Sequence, residues 1–129
     1  MKLRTVVATV AVAAMLLAGP AAAHHAANAQ FDVTQLKEIK GKLAKVDWVN
    51  PHAWFHFDVT NADGTTTRWS FETGGPTAMR RMGMSGAGMM PLGQEYTIQY
   101  RPARDGSSTG LMSVLIFPDG RKFSQLPAQ

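Results

Sequence analysis

Two adjacent histidines, His24 and His25, lie between two positions where a processing peptidase could cut the chain. A cut after Ala23 leaves His24 with a free α-amine beside its imidazole, and both nitrogens can lose protons near neutral pH. Such a residue can chelate one ion, and nitrogen donors of this kind suit Cu(II) and Ni(II). A cut after Ala29 removes both histidines. The position of the cut therefore decides whether a metal site is expected here.

The other two histidines occur in the segment "NPHAWFHF". On an extended strand His52, Trp54 and His56 share one face, and the strand rise separates the two imidazoles by about 13 Å. That distance is too long for one ion, so we expect His52 to act as a remote ligand beside His24 and His25. In the alternative interpretation, Asn50 and His52 are turn residues whose side chains satisfy backbone groups.

A methionine-rich segment forms the third candidate site. Met84, Met89 and Met90 lie in a glycine-rich stretch, and their thioethers are soft ligands that favour Cu(I). Met79 and Met82 have helical spacing, for which packing against a core is the simpler explanation. Packing is also the alternative for the three loop methionines.

The sequence predicts no catalytic residue. Its serines lie in no nucleophile-elbow context, and no glycine-rich phosphate loop connects a strand to a helix. Asp58 and Glu72, on neighbouring predicted strands, form only a weak candidate pair of carboxylates. An enzyme is therefore a less favoured interpretation than a binding protein.

The first 23 residues resemble a secretory signal peptide: Lys2 and Arg4 precede the uncharged run from Thr5 to Leu17, and Gly19-Pro20 breaks it. The run is shorter than the roughly 20 apolar residues of a spanning helix, which disfavours the alternative of a membrane anchor. Cleavage after Ala23 gives the segment between Pro20 and the cleavage site its usual length in signal peptides, so we favour it over cleavage after Ala29. We expect a periplasmic or secreted protein without a membrane span after cleavage.

The remainder divides into a flexible N-terminus at residues 24–35 and one small domain at residues 36–126. The chain has no cysteine, so its stability must come from packing. Lys37, Lys40, Lys42 and Lys45 alternate with apolar residues, as expected on the solvent-exposed face of a strand. They do not form the clustered basic patch of a nucleic-acid-binding protein. We expect no nucleic-acid partner.

Alternating patterns predict three strands, a short helix, and two or three further strands. The first, "IKGKLAKVDWV", changes face near Ala44 to Val46, which indicates a bulge or bend. Asp63-Gly64 predicts a hairpin, and Pro76 begins a short helix, Thr77 to Met82, that Gly83 ends. This order predicts an all-β fold, a small OB-like barrel with its helix between the third and fourth strands. An open sandwich or meander is the alternative.

Several segments together resemble the family catalogued as domain of unknown function 6152: "GKLAKVDWVNPHAWFHFDV", "RWSFETGGPTAMRR", "PLGQEYTIQYRPARDGSSTG" and "FPDGRKF", with the twin histidine that follows the signal peptide. The resemblance implies a short exported bacterial protein and no established activity. The positions that match the family's motifs are His24, His25, Asn50, Pro51, His52 and Trp69.

These observations predict an exported binding or accessory protein that holds copper through its N-terminal histidines. The alternative is a structural or protein-interaction module that presents a sheet edge or an aromatic face to a periplasmic partner.

Overall fold

Six β-strands form the framework of the computed structural model, which describes residues 27–125. They are β1 (Lys37–Asp47), β2 (Trp54–Thr60), β3 (Thr66–Glu72), β4 (Glu95–Pro102), β5 (Thr109–Ile116) and β6 (Lys122–Ser124). A short helix α1 (Pro76–Arg81) and a 3-10 helix (Ala87–Met89) connect β3 to β4. The chain divides into two compact units, Met1–Gln30 and Phe31–Gln129, and the strands belong to the second.

The predicted signal peptide, His24 and His25 lie outside the described residues. Within residues 27–125, no helix is long and apolar enough to cross a membrane.

The strands close into a barrel. Antiparallel pairing gives the order β3-β2-β1-β4-β5-β6, and a parallel pairing between β3 and β5 joins the two ends. β6 then pairs with the second half of β5, beyond the point where β3 ends. This arrangement confirms the small all-β barrel with α1 between the third and fourth strands.

Local sequence signals account for the shape of the first three strands. The pairing of β1 with β2 shifts register between Leu43 and Lys45, which is the bulge that the change of face predicts. β1 pairs with β4 over Lys37–Lys42 and with β2 over Lys42–Asp47, so the bulge lies just beyond the residue that both neighbours share. Gly64 turns the β2–β3 hairpin with φ of 84°, a conformation that glycine adopts without steric cost.

Aromatic rings make up a large part of the core. Phe55, Phe57 and Phe71 are fully buried, and the Phe57 ring meets the edges of Phe71 and Tyr96 at centroid distances of 5.8 and 6.0 Å. Edge-to-face pairs of this kind contribute about 0.5–1.5 kcal/mol each beyond their burial. The chain has no cysteine and so no disulfide, and burial of this apolar core is the main source of its stability.

The parallel seam between β3 and β5 requires a glycine. Gly110 pairs with Phe71, and a Cβ atom at Gly110 would lie 2.5 Å from Cδ2 of Tyr100 and 3.1 Å from Cδ1 of Phe71. Any side chain at this position would therefore push into the aromatic core.

The segment before β1 also contacts the barrel. Phe31 is 1% exposed and forms an isolated bridge with Ala103, and the backbone N–H of Asp32 donates to the carbonyl of Pro102 at 2.8 Å.

Candidate functional site

The outer surface of β1, β2 and β3 carries several of the titratable side chains considered in the sequence analysis. We call it the polar face and define it by Lys42, Lys45, Asp47, Trp54, His56, Asp58, Arg68, Ser70 and Glu72. Strand pairing places these residues in rows, because directly paired residues project on the same side of a sheet. Along β2, the residues of the polar face alternate with Phe55 and Phe57, which point into the core.

The Asn-Pro-His segment forms the loop between β1 and β2. Its Asn50–Pro51 peptide bond is cis. Gly75 packs directly against the Pro51 carbonyl oxygen, at a separation that leaves no space for a side chain at position 75. Two further bonds fix the end of the loop: the backbone N–H of Thr73 donates to the Ala53 carbonyl at 3.0 Å, and the Thr73 hydroxyl donates to the same oxygen at 3.1 Å. The loop is thus held against the end of β3.

This loop places His52 beside Glu72. Nδ1 of His52 lies against Oε1 of Glu72, whose side chain is 12% exposed, while the imidazole is 53% exposed. Nothing between residues 27 and 125 bonds to Nε2 of His52. In the neutral imidazole the proton therefore belongs on Nδ1, where Glu72 accepts it, and the lone pair of Nε2 is open to solvent. Sequence reasoning had not identified Glu72 as the partner of His52.

His56 has a different environment, because both of its ring nitrogens are engaged. Nδ1 is 2.8 Å from Oγ of Ser70, and Nε2 is 2.9 Å from Oδ2 of Asp47. Lys45 pairs with the other carboxylate oxygen of Asp47 at 2.7 Å. The hydrogen bonds from Lys45 and then from His56 hold the pKa of Asp47 below its usual value. The imidazole is thus fixed in the sheet and has no nitrogen left for a further ligand.

The row Ser70–His56–Asp47 has the order of a nucleophile, a base and an orienting carboxylate. Acyl transfer also needs N–H donors aimed at a developing oxyanion. The backbone N–H of Ser70 already donates to the carbonyl of Ser108 at 3.1 Å, so it cannot serve that purpose. The geometry therefore supports a structural hydrogen-bonded row across three strands.

Asp58 and Glu72 do not form the pair of carboxylates considered from the sequence. Asp58 is paired with Arg68, whose Nε donates to Oδ1 at 2.5 Å, and this contact lowers the pKa of Asp58. Glu72 is opposite Trp54 and contacts His52 instead. Asp58 lies on β2 opposite Arg68, whereas Glu72 lies at the end of β3 opposite Trp54, and each acid has its own cation or imidazole.

The described part of the chain contains no group of three or more His, Cys, Asp or Glu side chains arranged to hold a metal ion. His52 with Glu72 and His56 with Asp47 form two separate pairs on either side of Trp54. A metal ion at His52 would consequently need donors from beyond residues 27–125 or from another molecule.

The methionine segment packs largely into the barrel. Met84 and Met90 are 1% and 2% exposed and belong to the core cluster, together with Met79 of α1. Met89 is 38% exposed, and its sulfur accepts a hydrogen bond from the backbone N–H of Ser85 at 3.1 Å. The three sulfur atoms are therefore not presented together at the surface.

Trp69 contributes to the core edge. Its ring stacks on Phe71 at 5.9 Å with an interplanar angle of 13° and meets Tyr100 edge-on at 5.4 Å. It also lines a cavity of about 260 Å³ whose walls include Lys37 and Arg104. The hydrogen bond from Thr34 is the main cause that lowers the pKa of Asp32 in the same wall.

A family model described as "Family of unknown function (DUF6152)" matches residues 11–113. No curated protein and no solved structure matches the chain.

Proposed function

Because the chain belongs to DUF6152, a family whose description names no activity, we propose a function from the chain's own residues. In this proposal the protein is exported to the periplasm or secreted, and it acts there as an accessory protein that binds copper. Its primary ligands are His24 and His25, made accessible by cleavage after Ala23, and His52 supplies a further imidazole.

One observation carries the role of His52: its Nδ1 lies against the shielded carboxylate of Glu72, and its Nε2 is open. Metal-binding histidines commonly donate their second N–H to a carboxylate, which fixes the tautomer and raises the basicity of the ligating nitrogen. His52 has this arrangement before any metal is bound. His56, with two occupied nitrogens, does not.

The donor set also supports copper over a hard cation. Imidazole and amine nitrogens suit Cu(II), whereas calcium and magnesium prefer oxygen ligands. Met84 and Met90 receive no ligand role in this proposal because their side chains form part of the core.

The alternative of an interaction module rests on exposed apolar side chains between α1 and β4: Met82, Met89 and Leu92 are 39%, 38% and 65% exposed. The sheet edge gives it less support, since β6 has only three residues and two of them, Lys122 and Ser124, are exposed. Short, charged edge strands resist the addition of another strand.

The test is a copper titration of the exported, processed protein, followed by electron paramagnetic resonance of the Cu(II) form. We expect one bound Cu(II) with nitrogen hyperfine coupling. The double variant His24→Ala, His25→Ala should abolish tight binding. His52→Ala should weaken it at least about tenfold, since loss of even an outer-shell partner of a metal ligand costs about 10–100-fold in affinity.

His56→Gln is the matched control, because it removes an imidazole from the same strand face but from a side chain with no open nitrogen. It should leave copper binding unchanged. Equal copper affinity in the wild-type protein and the His24→Ala, His25→Ala variant would refute the proposal. Copurification of a stoichiometric protein partner by metal-free protein would favour the interaction module.

A further inference from the structure

Trp54 differs from the other two tryptophans. Trp48 packs against the core and meets the edge of Phe55 at 6.5 Å, and Trp69 stacks on Phe71. Trp54 projects from the opposite side of the sheet. No other ring contacts it within the described residues, and its indole N–H has no hydrogen-bond partner there. A large, half-buried aromatic side chain thus lies on the polar face without serving the core.

The neighbours of Trp54 are hydrogen-bonding groups with fixed orientations. Asp47 on β1 and Glu72 on β3 are its direct cross-strand partners. Asp47 is held by Lys45 and His56, and Glu72 contacts His52. Donors and acceptors therefore surround the indole on both sides, and little side-chain freedom remains to be lost when a ligand binds.

The charges of the polar face balance. Its three acidic residues are Asp47, Asp58 and Glu72, and its three basic residues are Lys42, Lys45 and Arg68. Each of these acids contacts a basic side chain or an imidazole. Such a face offers no net attraction to the phosphate backbone of a nucleic acid, for which unpaired positive charge is the main source of affinity.

A neutral sugar ring matches this combination. The C–H groups on one side of the ring can pack on the indole, and its hydroxyls can both donate and accept hydrogen bonds. We propose that the polar face binds a neutral carbohydrate chain, with Trp54 as the stacking platform and Asp47, whose side chain is 34% exposed, as the flanking hydrogen-bond acceptor. This inference is independent of copper binding.

The experiment uses the processed protein with EDTA present, so that metal plays no part. Cellohexaose is the probe, and isothermal titration calorimetry measures its binding alongside tryptophan fluorescence. We expect saturable binding that Trp54→Ala weakens about tenfold or more, since truncation of a central aromatic anchor costs more than 1 kcal/mol. Trp54→Phe should retain part of the affinity because it keeps a smaller ring.

Leu92→Ala is the control, because it removes an exposed apolar side chain outside the polar face and should not change the affinity. Circular dichroism confirms that each variant is folded. Absence of saturable cellohexaose binding would overturn the proposal, as would equal binding by folded Trp54→Ala. A twelve-residue oligothymidylate that binds at Trp54 in preference to cellohexaose would also overturn it.

Discussion

The parallel seam between β3 and β5 gives the sharpest stability prediction, through Gly110→Ala. The new Cβ atom would lie 2.5 Å from Cδ2 of Tyr100, about 1 Å closer than a normal carbon–carbon contact. The Tyr100 ring cannot turn away freely, because Phe71 lies 5.0 Å from it on one side and Trp69 lies 5.4 Å away. The strain must therefore spread into the core or open the seam.

Overpacking of this kind costs about 1–3 kcal/mol, and the strain here belongs near the upper end because three rings are involved. Replacement of glycine by alanine recovers up to about 1 kcal/mol by restricting the unfolded chain. The expected net loss is about 2 kcal/mol in the free energy of unfolding. For a domain of this size that corresponds to a fall in Tm of roughly 8–16 °C.

Urea denaturation of the processed protein, followed by circular dichroism, measures this loss. Gly88→Ala is the matched control: it introduces the same methyl group where no atom lies within 4 Å. We expect it to be neutral or to stabilise the protein by less than about 1 kcal/mol. If Gly110→Ala were as stable as Gly88→Ala, the close packing of the seam would be refuted.

Three further predictions concern the core and the polar face. Phe57→Ala should destabilise the barrel by about 3–5 kcal/mol, since it empties a fully buried position between two rings; a loss below about 1.5 kcal/mol in urea denaturation would contradict that packing. Lys45→Met should raise the pKa of Asp47 towards its usual value, because Lys45 is the main cause of its lowering, and an unchanged carboxyl titration by NMR would show the contact to be absent in solution. The lowered pKa of Asp47 also determines how stability depends on pH. Ionised Asp47 stabilises the folded protein above the ordinary aspartate pKa, and this contribution is lost as the pH falls through the pKa that Asp47 has in the folded protein. Lys45→Met should therefore reduce the loss of stability between neutral and acidic pH, and an acid-denaturation curve identical to that of the wild-type protein would count against this linkage.

Local signals were sufficient to predict most of the barrel. β2 and β4 bury alternate residues, so periodicity identifies them, and the change of face near Ala44 marks the bulge in β1. Turn chemistry predicts the hairpin at Gly64, and Pro76 and Gly83 mark the ends of the short helix. These features depend on residues close together in sequence.

The site could be predicted only in part. The common face of His52, Trp54 and His56 follows from alternation, but their partners depend on register. A two-residue turn at Asp63-Gly64 would place Phe71 opposite His56, whereas the longer turn places Ser70 there. The contact of His52 with Glu72 depends on how the loop packs against the end of β3, which no local pattern encodes.

The methionine segment shows the same limitation. Glycines around Met84 and Met90 are typical of a mobile loop, and the sequence alone cannot reveal that the barrel leaves apolar space beneath it. In the folded chain these side chains fill part of the core. Because the burial of these methionines depends on strands that are distant in sequence, the composition of the segment does not predict it.

The native mass of the exported protein, recovered from cells grown with added copper, tests the proposed function most directly. We expect a chain that begins at His24 and carries one copper ion, which the His24→Ala, His25→Ala variant loses. A chain that begins at Gln30, or one that begins at His24 and carries no copper, would contradict it.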